Sequence, residues 1–493
     1  LKILLEMRPA LDGHAGIPQE ARLLFRGLST LEGLDVEGLL QSSNRVLARG
    51  LPLPDSAAYR RLSIDRRIHR LSRVVLSLRP SERQSIGERL SDMLRVALAP
   101  WGVGLRAMLG MSEKLGVFDG ANFTDFVWRD LFARTLPVED LPTVVGARMR
   151  VARVPWNLTH AMALATRRFG GPLYPRLDTR GFDTMIAETP YPGRVTRGTQ
   201  LVVRYHDAIP MLMPHTITDK SFHQAAHYHA LARNVRDGAW FACVSDATRA
   251  DLLKIFPEVE ARSLTLHNMV SHHYFEQACS ASRLFEIVRT RRHEKIKGAE
   301  PEAFRWMGPD HQYLLMVSTL EPRKNHATLL AAWEQLRQDR FPDLKLVVVG
   351  SLGWDHAAIV KRFRPWLASG EVQMLEEVPA ADLRLLYHHA AATVCPSLGE
   401  GFDFSGVEAM RCGGAVVASD IPVHREIFGP AAAYFHTYAP SDLARAVVSV
   451  IDPEQPARRA ELVAQGQRVS HAYLPAQVLP QWQQFLTRLA PGR

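Results

Sequence analysis

Short apolar runs alternate with amphipathic stretches through most of the chain. In the first half, runs at residues 3–5 and 34–40 read as strands, with a helix over 20–28 between them. After a long interruption, strand-like runs return at 184–187, 201–205, 241–244 and 264–266, with helical patterns over 221–236 and 247–255. The second half repeats the plan. Residues 313–318, 344–349, 372–375, 392–395 and 415–418 read as buried strands, and helices such as 327–336 and 381–390 fill the gaps. Continuous apolar strands that alternate with helices imply parallel sheets covered on both faces. The segment 280–307, rich in charge and weak in pattern, is assigned as a linker. Two successive α/β domains then account for most of the length.

The interruption, residues 50–180, lacks strand signals for most of its length and reads as a helical insertion in the first domain. Ile64, Ile68, Leu71, Val75 and Leu78 fall at helical spacing, and Arg66, Arg67, Arg70 and Arg73 occupy the other face. A second stripe uses Leu90, Leu94, Ala97 and Trp101, before Pro100 and Gly102 disturb the helix. There is no internal repeat and no low-complexity tract.

Charge sharpens this picture. The chain has 493 residues, 46% hydrophobic and 23% charged, which excludes wholesale disorder and collagen-like repeats. Its formal net charge of +9 rests on 51 Arg and only 9 Lys. Between Arg45 and Arg79, nine Arg face Asp55 and Asp65, so this stretch alone carries +7. Such a surplus suits nucleic acid, an anionic membrane surface or phosphorylated small molecules. Nucleic acid would ask for interleaved stacking aromatics, and the stretch has only Tyr59. The basic insertion therefore has three readings: packing on the first domain (the favoured one, to shape an acceptor groove), an anionic membrane surface, or an oligomer contact. Cys243, Cys279, Cys395 and Cys412 form no zinc or redox spacing and read as reduced thiols. No apolar run reaches the ~18 residues of a membrane span. The stretch from Leu1 to Glu6 is too short and too acidic for a signal peptide, so a cytoplasmic location is expected, extended to the inner face of the membrane if the insertion docks there.

Two segments carry candidate chemistry. Residues 396–410 follow one strand and lead into a helix, with Glu400 and Glu408 bracketing Gly401, Ser405 and Gly406. Backbone N–H groups beside carboxylates at a strand's C-terminal end form a place where open parallel sheets bind ligands, and carboxylates suit sugar and ribose hydroxyls. An ordinary surface turn is the plainer reading. Residues 318–325, Ser-Thr-Leu-Glu-Pro-Arg-Lys-Asn, put Arg323 and Lys324 at another strand end near a helix N-terminus, a diphosphate clamp or simply a solvated basic loop. His223, His227 and His229 are closely spaced, but no acidic or Cys partner matches them, so a solvated helix face is favoured over zinc. No two Asp residues are two positions apart, so no DxD metal motif exists, and no metal or cofactor is expected.

Together these segments resemble the retaining nucleotide-sugar glycosyltransferases of family 4, with the GT-B architecture. Residues 203–210 are similar to the family's strand ending in His-Asp, and 241–248 to its next strand-to-helix turn. Residues 348–351, 386–397 and the loop 13–17 also fit. The resemblance implies an α/β GT-B fold of two Rossmann-like domains: an acceptor-side domain over 1–290, a nucleotide-sugar domain over 308–472, and a C-terminal helix, 473–493, packing back on the first. It also implies roles. Arg323 and Lys324 neutralise the donor diphosphate, Glu408 holds the ribose, and Glu400 contacts the transferred sugar. Amides from Gly401, Phe402, Asp403, Phe404 and Ser405 lie alongside. His206 approaches the sugar from the other domain, Gly16 lets the first loop near the phosphates, and Val378 lies near the base. The family usually has Gly at Asp403 and Pro at Ser405; Asp403 either reads a sugar hydroxyl or, as favoured, caps the helix. The implied activity is transfer of a hexose or deoxyhexose, for instance mannose, to a glycan acceptor, lipid-linked or free, in surface polysaccharide (lipopolysaccharide) synthesis. The alternatives are a GT-B nucleotide-sugar epimerase, disfavoured by the Glu-Pro-Arg-Lys-Asn segment, and a non-catalytic sugar- or nucleic-acid-binding protein.

Overall fold

The computed structural model describes residues 1–13, 16–79, 104, 108–168, 171–217, 220–293 and 312–490. The first half builds an eight-stranded sheet in the order Ser263–Thr265, Trp240–Cys243, Gln200–Tyr205, Thr184–Ala187, Lys2–Glu6, Asp35–Leu40, Arg148–Val151, Gly116–Asp119. Neighbours run parallel except the last pair. The second half builds an all-parallel sheet of six, ordered Val372–Leu375, Lys345–Val349, Tyr313–Val317, Ala392–Cys395, Val416–Ser419, Ala432–Phe435. The central strands are buried on both faces, as their unbroken apolar runs require: Ile3, Leu4, Leu5, Leu314 and Leu315 are all inaccessible.

Strand order reverses in the second sheet beside Tyr313–Val317. The chain moves outward through Lys345–Val349 and Val372–Leu375, then returns to the other side at Ala392–Cys395. The two strands flanking that reversal end on the two segments singled out by sequence. A crevice opens at such a switch point because the loops leaving adjacent strands turn in opposite directions.

Three expectations change. The interruption is not purely helical. Arg148–Val151 and Gly116–Asp119 extend the main sheet, and Ser112–Lys114 pairs with Arg176–Asp178 in a separate ribbon. Arg150 hid its strand; its guanidinium meets buried Glu37 at 2.5 Å and lies over the Phe182 ring. The basic helix Ile64–Leu78 forms, but it buries Leu71 and Val74 and leaves Ile64 73% and Leu76 71% exposed. Arg67 turns inward onto the Tyr59 ring instead of facing solvent with the other arginines. The stripe from Leu90 to Trp101 lies outside the described residues. Finally, the assigned linker begins as a helix, Ala281–Thr290, capped by Ser280, whose Leu284, Ile287 and Val288 join the second half's core. Near the chain's end, Pro475–Leu489 crosses back and buries Val478, Trp482, Phe485 and Leu486 in the first half's core.

Candidate functional site

The switch point gathers the charged residues. After Tyr313–Val317 the chain makes one tight turn, Pro322–Lys324, and Asn325 follows in a left-handed conformation (φ 59°). The Asn325 amide donates to the carbonyls of Pro396 (3.1 Å) and Thr437 (3.0 Å), and the Leu398 N–H donates to the Arg323 carbonyl (2.9 Å). The two loops are thus stitched together through main chain. Lys324 Nζ lies 2.5 Å from Glu400 Oε1, and Arg323 lies 2.8 Å from Glu400 Oε2 and 2.8 Å from Glu321. Burial disfavours charge on Glu400, but the two cations outweigh it and hold the carboxyl well below the usual carboxylate range. Glu321, more weakly compensated, is pushed up by its burial.

Asp403 takes a helix-capping position. It sits at φ 57°, where the family usually has Gly, and opens the helix Phe404–Arg411. One oxygen accepts from the Ser405 N–H (3.1 Å) and hydroxyl (2.6 Å); the other lies 3.1 Å from His424 Nε2. It caps the helix, and Ser405 is occupied by it. Phe402 packs between Phe404 and Tyr473.

Glu408 is buried four residues into that helix. Its Oε1 accepts from Gln19 Nε2 (2.8 Å) and its Oε2 from the Tyr387 hydroxyl (3.0 Å). Gln19 belongs to the helix Ile17–Ser29 of the first half, which Gly16 opens at φ 70°, a conformation costly for any residue with a Cβ. His206, at the end of Gln200–Tyr205, faces the same cleft; its carbonyl packs against Gly401, and its Nε2 lies 3.4 Å from Glu188. Burial, aided by Arg204, pushes His206 down to about 4, so it is a neutral hydrogen-bonding group near pH 7. Val378 is half-buried at the rim of the second half's core, away from these ion pairs in the chain but after the neighbouring strand Val372–Leu375.

Burial pushes the Glu408 carboxyl up to about 7. An acid whose folded pKa exceeds its unfolded value of 4.5 favours the protonated fold. It therefore costs stability as pH rises from 4.5 to 7, by up to about 3 kcal/mol. Glu408→Gln removes that cost. Its thermal midpoint is expected to gain on wild type progressively between pH 5 and pH 8; a pH-independent difference would refute the assignment.

The chain's likeness to known proteins follows the same division. Residues 307–469 match the model of the family described as Glycosyl transferases group 1. That match covers about a third of the chain and the whole of its second sheet. Among curated relatives, the serotype-specific mannosyltransferase WbdA of Escherichia coli is 38% identical over 135 residues, 27% of this chain and 16% of that protein. The O-antigen chain mannosyltransferase B of Escherichia coli is 29% identical over 188 residues, 38% of this chain and 45% of that protein. The chain thus spans less than half the length of these relatives. In fold, it resembles sucrose-phosphate synthase from Thermosynechococcus elongatus (TM-score 0.60, 14% identity, 99% of this chain and 98% of that one). It also resembles a glycosyltransferase from Rickettsia africae (TM-score 0.53, 11% identity, 100% and 99%). The GT-B fold spans both halves.

Several residues of the cleft carried no sequence signal. Glu426 accepts from the N–H groups of Asp246 (2.7 Å) and Ala247 (2.8 Å), so a carboxylate of the second half caps a helix of the first, Asp246–Ile255. Beneath His206, Arg204 is fully buried against Glu20 (2.9 Å) and Asn268 (2.6 Å), and burial pushes the adjacent Glu188 up to about 8. A carboxylate that caps another domain's helix looks, in sequence, like any surface Glu. The His223–His229 stretch also differs from expectation: His227 turns inward, 3.5 Å from the Tyr205 hydroxyl, and desolvation pushes it down to about 3.

Proposed function

We propose that this chain is a retaining hexosyltransferase, moving a hexose or deoxyhexose from a nucleotide-diphosphate sugar to a glycan acceptor in surface-polysaccharide synthesis. The observation that carries the reading is the convergence of Arg323 and Lys324 on the largely covered Glu400 carboxylate at the switch point, with buried Glu408 on the adjoining helix. In the reaction, the bond between the anomeric carbon and the phosphate oxygen breaks, and the acceptor oxygen bonds to the same face of that carbon. The acceptor proton passes to the departing phosphate. Arg323 and Lys324 stabilise the charge arriving on the diphosphate, a task that metal-dependent transferases give to a divalent ion. Glu400, released in part from the cations as the diphosphate takes them, lies beside the sugar, and Glu408 accepts the ribose hydroxyls in place of Gln19. Mannose is favoured as the sugar because the partial relatives are mannosyltransferases.

The acceptor would enter at the first half. A cavity of about 360 Å³ lies at the C-terminal end of Asp35–Leu40, lined by Ser42, Ser43, Asn44, Arg45, Arg79 and Arg134 among others. Asp12 and Asp130 also line it, and Asp130 pairs with Arg79 at 2.8 Å, so Arg45 and Arg134 are the cations that would meet an acceptor with an anionic anchor, which a lipid-linked glycan has. Close by, the exposed Ile64 and Leu76 with Arg66 and Arg73 give the helix Ile64–Leu78 the character of a face that rests on anionic lipid. Among the described residues no helix is long and apolar enough to cross a membrane.

A thermal-shift panel of GDP-, UDP-, dTDP- and ADP-sugars tests the donor, because a ligand that binds only the native state stabilises it. One base is expected to raise the midpoint in wild type and not in Arg323→Ala/Lys324→Ala, which removes both cations; no shift with any donor would sink the reading. Anionic liposomes are expected to co-sediment wild type, and an Arg66→Glu, Arg70→Glu, Arg73→Glu variant at least tenfold less. Equal binding by both would remove the membrane from the proposal.

A further inference from the structure

Outside the ion pairs of this cleft, Asp140, His272 and His273 come together, each offering a ligand atom within 4.8 Å of the other two. Asp140 is buried at the end of the turn Val138–Asp140, inside the interruption of the first domain. His272 and His273 lie on the crossover from the first sheet to the second, with ring centroids 4.0 Å apart. The two imidazoles, with planes tilted by 48°, lie beside the carboxylate of Asp140. His273 Nε2 is buried without a hydrogen-bond partner, an atom the protein itself leaves unsatisfied.

The geometry points to a divalent transition-metal site of the zinc class, held by Asp140, His272 and His273 with a fourth position open to water. Imidazole and carboxylate are the donors such ions take at about 2.0–2.2 Å. Four-coordinate ligands then stand about 3.4 Å apart, so modest side-chain rotation closes the present spacing. The groups facing the cluster fit this role. Arg26 holds Asp140 Oδ1 at 2.8 Å, as an outer partner that orients a ligating carboxylate, and Arg384 fixes the loop by donating to the His273 carbonyl (3.4 Å). Glu139 adds negative charge.

Such an ion would tie the insertion to the crossover. The next residue, Tyr274, packs on Tyr387, and both hydroxyls serve Glu408. The site is thus a structural clasp beside the cleft, separate from the diphosphate chemistry.

Isothermal titration of tag-free, chelator-stripped full-length protein with zinc chloride tests this. Wild type is expected to take up one equivalent at micromolar affinity or tighter. His272→Ala, at an exposed position, and His272→Ala/His273→Ala are expected to bind at least tenfold more weakly with circular dichroism unchanged. Cobalt(II) in place of zinc is expected to give wild type, and not the variants, the visible absorption of a four-coordinate site. No uptake by wild type would overturn the proposal, and so would equal uptake by the variants, which would place the ion elsewhere, for instance at His223, His227 and His229.

Discussion

Lys324→Ala is expected to lower turnover about 10²–10³-fold, the usual loss when one preorganised group facing a developing oxyanion is removed. The fold is expected to survive, because Arg323 alone still neutralises Glu400 at 2.8 Å and the loop is pinned by Asn325 rather than by the lysine. The loss should fall on kcat more than on donor KM. In the ground state the diphosphate charge is spread and shared with Arg323; it concentrates on the leaving oxygen only as the glycosidic bond breaks. Lys324 and Glu400 form one ion pair with 2.5 Å between them, so their deletions should not add: Lys324→Ala/Glu400→Ala is expected to lose far less than the product of the single losses. Steady-state kinetics on the three variants decides it. Turnover within threefold of wild type in Lys324→Ala would remove the cation pair from the chemistry.

The reason this site was legible in the sequence is local. Arg323 with Lys324, and Glu400 with Glu408, sit on segments that directly follow apolar runs, and those runs are strands because both faces of a parallel sheet are buried. Leu314↔Leu346 and Leu314↔Ala392 are neighbours in register, and each strand announces itself by composition alone. Elements stabilised by remote partners were not legible. Arg148–Val151 reads as polar because its Arg150 finds Glu37, 113 residues away; Gln19 finds Glu408 389 residues away. The helix Ala281–Thr290 is a different case. Leu284, Ile287 and Val288 are at helical spacing, and the dense charge around them obscured a stripe that was present. Asp403 was legible as a cap because the carboxylate and the amide it satisfies are two residues apart, whereas the His424 contact on its other oxygen was not.

Gly401→Ala is expected to cost at least about 10²-fold in transfer, although it adds a single methyl group to a residue that touches no charge. A Cβ at this position would stand 1.8 Å from the His206 carbonyl oxygen and 2.9 Å from its carbon. Both obstacles are backbone, and both belong to the other half of the molecule, so no side-chain rotation relieves them. Either the loop bearing Glu400 retreats from the cleft, or the two halves part and release the Glu426 cap on Asp246 and Ala247 together with Gln19 from Glu408. Most of each core lies within its own half, with Val244 the first-half strand-end residue joined to the second, so the thermal midpoint should fall less than activity does. Nucleotide binding at Arg323 and Lys324 should persist within a few-fold. Small-angle scattering is expected to show a larger radius of gyration than wild type if the halves part, and an unchanged one with the same kinetic loss if only the loop moves. Gly399→Ala is the matched control: its Cβ would meet the Met213 sulfur at 2.7 Å, the end of a flexible side chain that can swing away. Its loss should be under tenfold. Equal effects of the two substitutions would mean that close approach of the halves at His206 and Gly401 is not what the reaction depends on.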